Sequence, residues 1–288
     1  MIQPLFEHRL TLAGNNTRVL ELEGDGVPIL MFHGYADSAD TWRYALARLA
    51  RHGRRAIAVD LPGFATAEPL LKEPILPQLD QFAAAATKYL SGPRHEPVLA
   101  VGNSLGGCVA LRLAERHRKQ VAGVVAVAPA GLEMSRLLHL VQRDPLLRTL
   151  LALPTPVPSA VLRSAVAGLY LRLAFATPGA IEPGVVSAFT WHHRQRASVA
   201  RYLDTARRLI PELRDPYELD QITCRVLLIW GDRDRLVFHR GAERVLSAVP
   251  SSRLELLPGI GHCPQVEAPD RLVELLLAFD AECAAVAA

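Results

Sequence analysis

Pro97-Val98-Leu99-Ala100-Val101-Gly102-Asn103-Ser104-Leu105-Gly106-Gly107 decides how the chain is read. Val98–Val101 is a short continuous apolar run, as a strand buried on both faces requires. Leu105–Arg118 has the spacing of a helix. Between them lies G-x-S-x-G. In that context the pattern makes a sharp strand-to-helix turn that lifts the Ser104 hydroxyl clear of the backbone, while the glycines let strand and helix approach without Cβ clashes. The helix N-terminus adds free N–H groups and a positive dipole end beside the serine.

The same alternation extends in both directions. Upstream, Arg18–Glu23 alternates in strand fashion and stops at Gly24-Asp25-Gly26; Pro28–Phe32 and Arg55–Asp60 read as further buried strands. Thr41–His52 and Leu79–Leu90 read as helices, and Val121–Val127 is the next strand. Strand–helix–strand repetition predicts a mostly parallel, doubly wound α/β sheet covered on both faces. The pattern changes near Gly131. From Leu132 to Leu219 the reading is helical, with joints at Pro154–Pro158, Pro178-Gly179 and Pro183-Gly184. The α/β pattern then returns with strands at Cys224–Trp230 and Arg253–Leu257 and helices at Arg240–Val249 and Pro269–Glu282. The expected organisation is therefore one sheet in two parts, residues 1–131 and 220–288, with an all-helical cap inserted at 132–219.

Composition bounds the function. Half of the 288 residues are hydrophobic, 21% are charged, and the net charge is only +3. No concentrated basic stripe is present, so nucleic acid is not an expected partner. No apolar run reaches the roughly 18 residues of a membrane span, and Met1-Ile2-Gln3-Pro4 lacks the pattern of a secretory leader. The expectation is a soluble cytoplasmic protein, monomer or homodimer, without stable membrane insertion. Cys108, Cys224, Cys263 and Cys283 stand far apart, suggesting isolated thiols with neither a disulfide framework nor a zinc site.

A serine at its free pKa is a poor nucleophile and needs a base, which in turn needs an orienting acid. His262, in Gly259-Ile260-Gly261-His262-Cys263-Pro264, follows the last expected strand, at the sheet end where open α/β folds place their sites. His239 starts a helix, His192 and His193 lie in the insertion, and the histidines at 8, 52, 95, 117 and 139 read as surface. For the acid, Trp230-Gly231-Asp232-Arg233-Asp234 offers two aspartates, and residue chemistry does not separate them. The alternative acid position after Val127 holds Ala128. The order Ser104, Asp, His262 is that of an α/β-hydrolase triad.

Five blocks carry a resemblance to the α/β-hydrolase superfamily, in its branch with a helical cap: His33-Gly34-Tyr35, Asp60-Leu61-Pro62-Gly63-Phe64, Gly102–Gly107, Gly231–Asp234 and Gly261-His262. The resemblance covers both sheet portions. It implies Asp234 as the acid, through the family's G-x-x-D pattern. It implies an oxyanion hole of the Tyr35 and Leu105 N–H groups, with His33 a structural residue beside the site. A serine nucleophile sets the chain apart from haloalkane dehalogenases and epoxide hydrolases, which carry aspartate there. The His33–Ala36 loop lacks the extra glycines of HGGG-type lipases, and Leu105 stands where cofactor-free haloperoxidases commonly have methionine.

Asn103 is similar to the residue before the serine in carbon–carbon-bond hydrolases. Those enzymes hold a substrate carboxylate with a cap arginine, for which Arg194 and Arg196 are candidates. The cap carries 11 arginines against 7 acids and an apolar surplus around Leu169–Leu171, Phe175 and Phe189–Trp191. His33, Asn103, Trp191 and Arg194 are the candidate substrate-side positions, and a small hydrophobic acyl or aromatic molecule is the expected substrate; the same apolar stripe equally fits a membrane-facing lid or a dimer contact. No metal or organic cofactor is called for. The expected activity is a carboxylesterase-like serine hydrolase. Rivals on the same triad are a C–C hydrolase, lactonase, thioesterase or acyl transferase; a ligand-binding protein with little turnover is the rival of another class.

Overall fold

The computed structural model describes residues 3–135, 168, 171–182, 184 and 196–287. Strands β1 (Leu5–Leu12), β2 (Asn15–Leu22), β3 (Asp25–Phe32), β4 (Arg54–Val59), β5 (Val98–Asn103), β6 (Val121–Val127), β7 (Arg225–Gly231) and β8 (Ser252–Leu257) form one sheet in the order β1-β2-β4-β3-β5-β6-β7-β8. The β1–β2 and β2–β4 pairs are antiparallel; every other pair is parallel. The mostly parallel sheet expected from the apolar runs is present. β1 was not expected. It is an edge strand whose residues are mostly exposed or half-buried, so it lacks the continuous apolar run of its neighbours.

Alternation along each strand feeds two cores. Leu30 and Phe32, Ile57 and Val59 face one side; Ile29 and Met31, Ala56 and Ala58 face the other. Helices α1 (Arg43–Arg51) and, from the C-terminal end of the chain, α7 (Pro269–Ala287) bury Leu46, Leu49, Leu272, Leu276 and Phe279 on the second side. On the first side lie α2 (Ile75–Ser91) and α3 (Leu105–Arg116), with Leu79, Phe82, Val109 and Leu113 buried. The short α5 (Ala242–Ala248) adds Val245 to the same core. The sheet is thus wound on both faces.

Between β6 and β7 the chain leaves the sheet. The described parts of that stretch include a helical turn at 171–174 and α4 (Arg196–Glu212). Its start runs beside the loop after β7: Met134 bridges Val237, and Phe238 N–H donates to Glu133 O at 2.8 Å. Its end is stitched to α2 and α3. Arg112 donates to both carboxylate oxygens of Asp80, at 2.9 and 2.6 Å, and to Pro216 O, while Glu115 accepts from Glu218 N–H at 3.1 Å. Among the described residues no helix is long and apolar enough to cross a membrane.

Glu115 gives a pH prediction. Burial outweighs its pairing with Arg116 and pushes the carboxyl up from 4.5 to about 7. Across that interval the folded chain holds the proton more tightly than the unfolded chain, so this group removes stability as pH rises from about 4.5 through about 7. Glu115→Gln carries no such penalty. The melting temperature of the variant relative to wild type is expected to be higher at pH 8 than at pH 5, read by thermal denaturation. An equal difference at both pH values contradicts the assignment.

Candidate active site

Ser104 sits between β5 and α3 with φ 54° and ψ −114°, a conformation that L-residues rarely adopt. Such strain costs about 1–3 kcal/mol and persists only where the surroundings over-determine it. Here Ser104 N–H donates to Val127 O at 2.8 Å, and Ser104 O accepts from Ala130 N–H and Cys108 N–H, both at 3.0 Å. The glycines of the motif are a steric requirement. A Cβ on Gly102 would lie 2.0 Å from Gly106 O, and one on Gly106 would lie 2.1 Å from Phe32 O. Asn103 and Leu105 are buried on either side, leaving Ser104 the half-exposed residue of the turn.

The His33 loop passes beside the serine. A Cβ on Gly34 would be 3.5 Å from Ser104 Cβ. Among the described residues, neither the Tyr35 N–H nor the Leu105 N–H has a hydrogen-bond acceptor. Leu105 is the first residue of α3, where such donors concentrate positive potential. His33 is fully buried, with Nδ1 2.7 Å from Gly34 O and Nε2 accepting from Leu61 N–H at 2.8 Å. That pairing makes Nδ1 the protonated nitrogen and leaves the ring tying two loops together. The Asn103 amide nitrogen donates to His262 O at 2.9 Å and Val127 O at 3.3 Å. His33 and Asn103, candidates for touching substrate, have side chains committed to the main chain and serve the frame of the site. Trp191 and Arg194 lie outside the described residues, as does the side chain of Arg196.

Two loops meet beyond the ends of β7 and β8. A Cβ on Gly231 would be 2.2 Å from both Ile260 O and Gly261 O, so glycine allows the Asp234 loop to lie directly against the His262 loop. His262 Nδ1 is 2.7 Å from Asp234 Oδ2, and both side chains are buried. Asp234 Oδ1 accepts from Leu236 N–H at 2.8 Å and Val237 N–H at 3.1 Å, which fixes the carboxylate. Asp232 is exposed and caps Gly259 N–H at 2.6 Å. Geometry therefore separates the two aspartates that residue chemistry left open.

Further support comes from the Asp60–Phe64 block and from Arg18, Asp40, Tyr202 and Glu267, to which sequence reading gave no part in the site. Arg18 reaches Asp40 at 2.8 Å and Asp60 at 3.1 Å, while Asp60 accepts from Ala39 N–H at 2.8 Å. Burial opposes the charge on Asp60, yet the Arg18 contacts outweigh it and hold the carboxyl below its ordinary value. Phe64, carried by the Asp60–Phe64 block, meets Tyr35 edge-on at 5.3 Å and stacks on Tyr202 of α4 at 5.9 Å. The Tyr35 hydroxyl donates to Tyr202 O. Glu267, at the end of α6 (Pro264–Glu267), accepts from the His262 loop; its only signal in the sequence is an acid five residues after the histidine.

Comparison with known proteins gives the family. Residues 29–275 match the Alpha/beta hydrolase family, and the chain belongs to it. It is 26% identical to the 2-hydroxy-6-oxo-6-(2'-aminophenyl)hexa-2,4-dienoic acid hydrolase of Metapseudomonas resinovorans, over 95% of this chain and 90% of that protein. It is 27% identical to a monoacylglycerol lipase of Bos taurus, over 87% of this chain and 74% of the lipase. The crystal structure of a membrane phospholipase A, described as a bacterial virulence factor, shares the fold with a TM-score of 0.78 at 23% identity, covering 97% of this chain and 86% of that one.

Proposed function

We propose that the protein is a serine hydrolase acting on an ester-like bond of a small hydrophobic substrate. The observation that carries the reading is the buried His262–Asp234 pair at 2.7 Å, tied through Asn103 to a strained turn that presents Ser104. In this reading Ser104 Oγ attacks the carbonyl carbon and its proton passes to His262 Nε2. Asp234 accepts from the His262 Nδ1–H, holds the tautomer and stabilises the imidazolium. The charge that develops on the carbonyl oxygen meets the Tyr35 and Leu105 N–H groups; one such donor contributed about 3–4 kcal/mol in a well-studied protease. His262 then passes the proton to the leaving group, and water attacks the acyl-enzyme through the same base. Residues 132–219 act as the lid that shapes the acyl pocket.

The lipase relative supports the ester reading. The hydrolase from Metapseudomonas resinovorans favours a second one, cleavage of a C–C bond on the same triad. Steady-state rates on p-nitrophenyl acetate, butyrate, octanoate and laurate, beside a 2-hydroxy-6-oxohexa-2,4-dienoate, separate the two. Higher kcat/KM on an ester supports the first reading. Turnover of the dienoate with negligible ester cleavage overturns it in favour of the second.

A further inference from the structure

The His262 loop has a second set of ties, to residues 171–176 in the stretch between β6 and β7. His262 N–H donates to Ala174 O at 2.8 Å. Glu267 accepts with both carboxylate oxygens: Oε1 from Gly261 N–H at 2.9 Å and Oε2 from Ala176 N–H at 2.8 Å. A Cβ on Gly261 would lie 2.6 Å from Ala176 N and 2.8 Å from both Ala174 O and Glu267 Oε1. Only glycine allows the two backbones this close. Ala174, Phe175, Cys263 and Val266 form a small apolar cluster around the junction, separate from the two main cores. A carboxylate accepts from two N–H groups at once with charge-assisted strength; an amide has one acceptor oxygen, so one of the two donors then faces an NH₂.

We propose that Glu267 is a positioning residue for His262: its carboxylate locks the Gly261–His262 main chain to the 174–176 segment and so sets the place of the imidazole. The inference rests on the serine-hydrolase reading. Glu267 touches no reacting atom; it acts through the loop that carries the base. Misplacement by about 1 Å is enough to cost roughly 100-fold in rate.

The test compares Glu267→Gln, Glu267→Ala and the charge-keeping Glu267→Asp with wild type in the full chain. Four readouts are taken: melting temperature, the rate of Ser104 labelling by a fluorophosphonate per folded molecule, the downfield proton resonance of the His262 Nδ1–H, and kcat and KM on p-nitrophenyl acetate. Labelling is expected to slow about 10- to 100-fold in the Gln and Ala variants, with the resonance shifted or broadened. KM for p-nitrophenyl acetate is expected to change far less than kcat. A role confined to stability lowers the melting temperature and leaves labelling and resonance unchanged, and that result overturns the proposal. If Gln and Ala fail to fold, the Asp variant decides by the same criteria. Wild-type protein that does not label at Ser104 refutes the serine-hydrolase reading instead, and an unchanged resonance in the variants then refutes the positioning role by itself.

Discussion

Ser104→Ala and His262→Ala are each expected to lose kcat by on the order of 10⁴- to 10⁶-fold while remaining folded, because in the proposed mechanism nucleophile and base act as one unit and neither works alone. The fold does not depend on the Ser104 hydroxyl. The turn is held by the main chain of residue 104, which bonds Val127, Ala130 and Cys108, and by glycines that leave no room for Cβ atoms. Alanine keeps that main chain and removes only Oγ. His262→Ala likewise keeps the His262 N–H bond to Ala174 O and the Asn103 bond to His262 O. It leaves the Asp234 carboxylate without its imidazole partner, so a modest loss of stability accompanies the loss of rate. Steady-state kinetics with circular dichroism on the same samples checks both points. Turnover above about 1% of wild type in either variant contradicts the mechanism.

Asp234→Asn is expected to reduce kcat by about 10⁴-fold, since an amide at that position holds the wrong imidazole tautomer. Asp232→Asn is expected to stay near the wild-type rate. The difference follows from where each carboxylate points. Asp234 is buried against His262 Nδ1 and fixed by two main-chain donors, whereas Asp232 is exposed and caps the turn at Gly259. Asparagine keeps one acceptor oxygen for the Gly259 N–H, so the cap is weakened by loss of charge but kept, and the His262–Asp234 pair is untouched. Equal losses in the two variants would show that the effect lies in the shape of the loop, with no special part for the Asp234 carboxylate.

The sheet was legible where strands are buried on both faces. β5, β6 and β7 are short, mostly apolar runs rich in Val, Leu, Ile and Ala, each too short for a buried helix, and the glycine–serine turn between β5 and α3 marks the sheet end that carries the candidate site. β1 was illegible for the opposite reason. Its Leu5-Phe6-Glu7-His8-Arg9 mixes apolar and charged residues on a half-exposed edge, and its hairpin turns through Ala13-Gly14, with alanine at a left-handed φ of 50° where asparagine or aspartate is the usual signal. Residue chemistry left Asp232 and Asp234 open and only the G-x-x-D resemblance implied Asp234; the approach of Gly231 to Ile260 and Gly261, between chain segments about thirty residues apart, is what sets Asp234 against His262. Glu267 was hidden because its partners are main-chain N–H groups, one of them in a segment 91 residues upstream, and a main-chain donor leaves no residue-type signature.

Intact-mass measurement after exposure to a fluorophosphonate, followed by peptide mapping, tests the account most directly. The account predicts one adduct per chain, on Ser104, formed rapidly by wild type and not by the Ser104→Ala variant, with strong slowing in His262→Ala. A folded wild-type protein that takes no adduct, or takes it at another residue, contradicts the claim that Ser104 is the activated nucleophile.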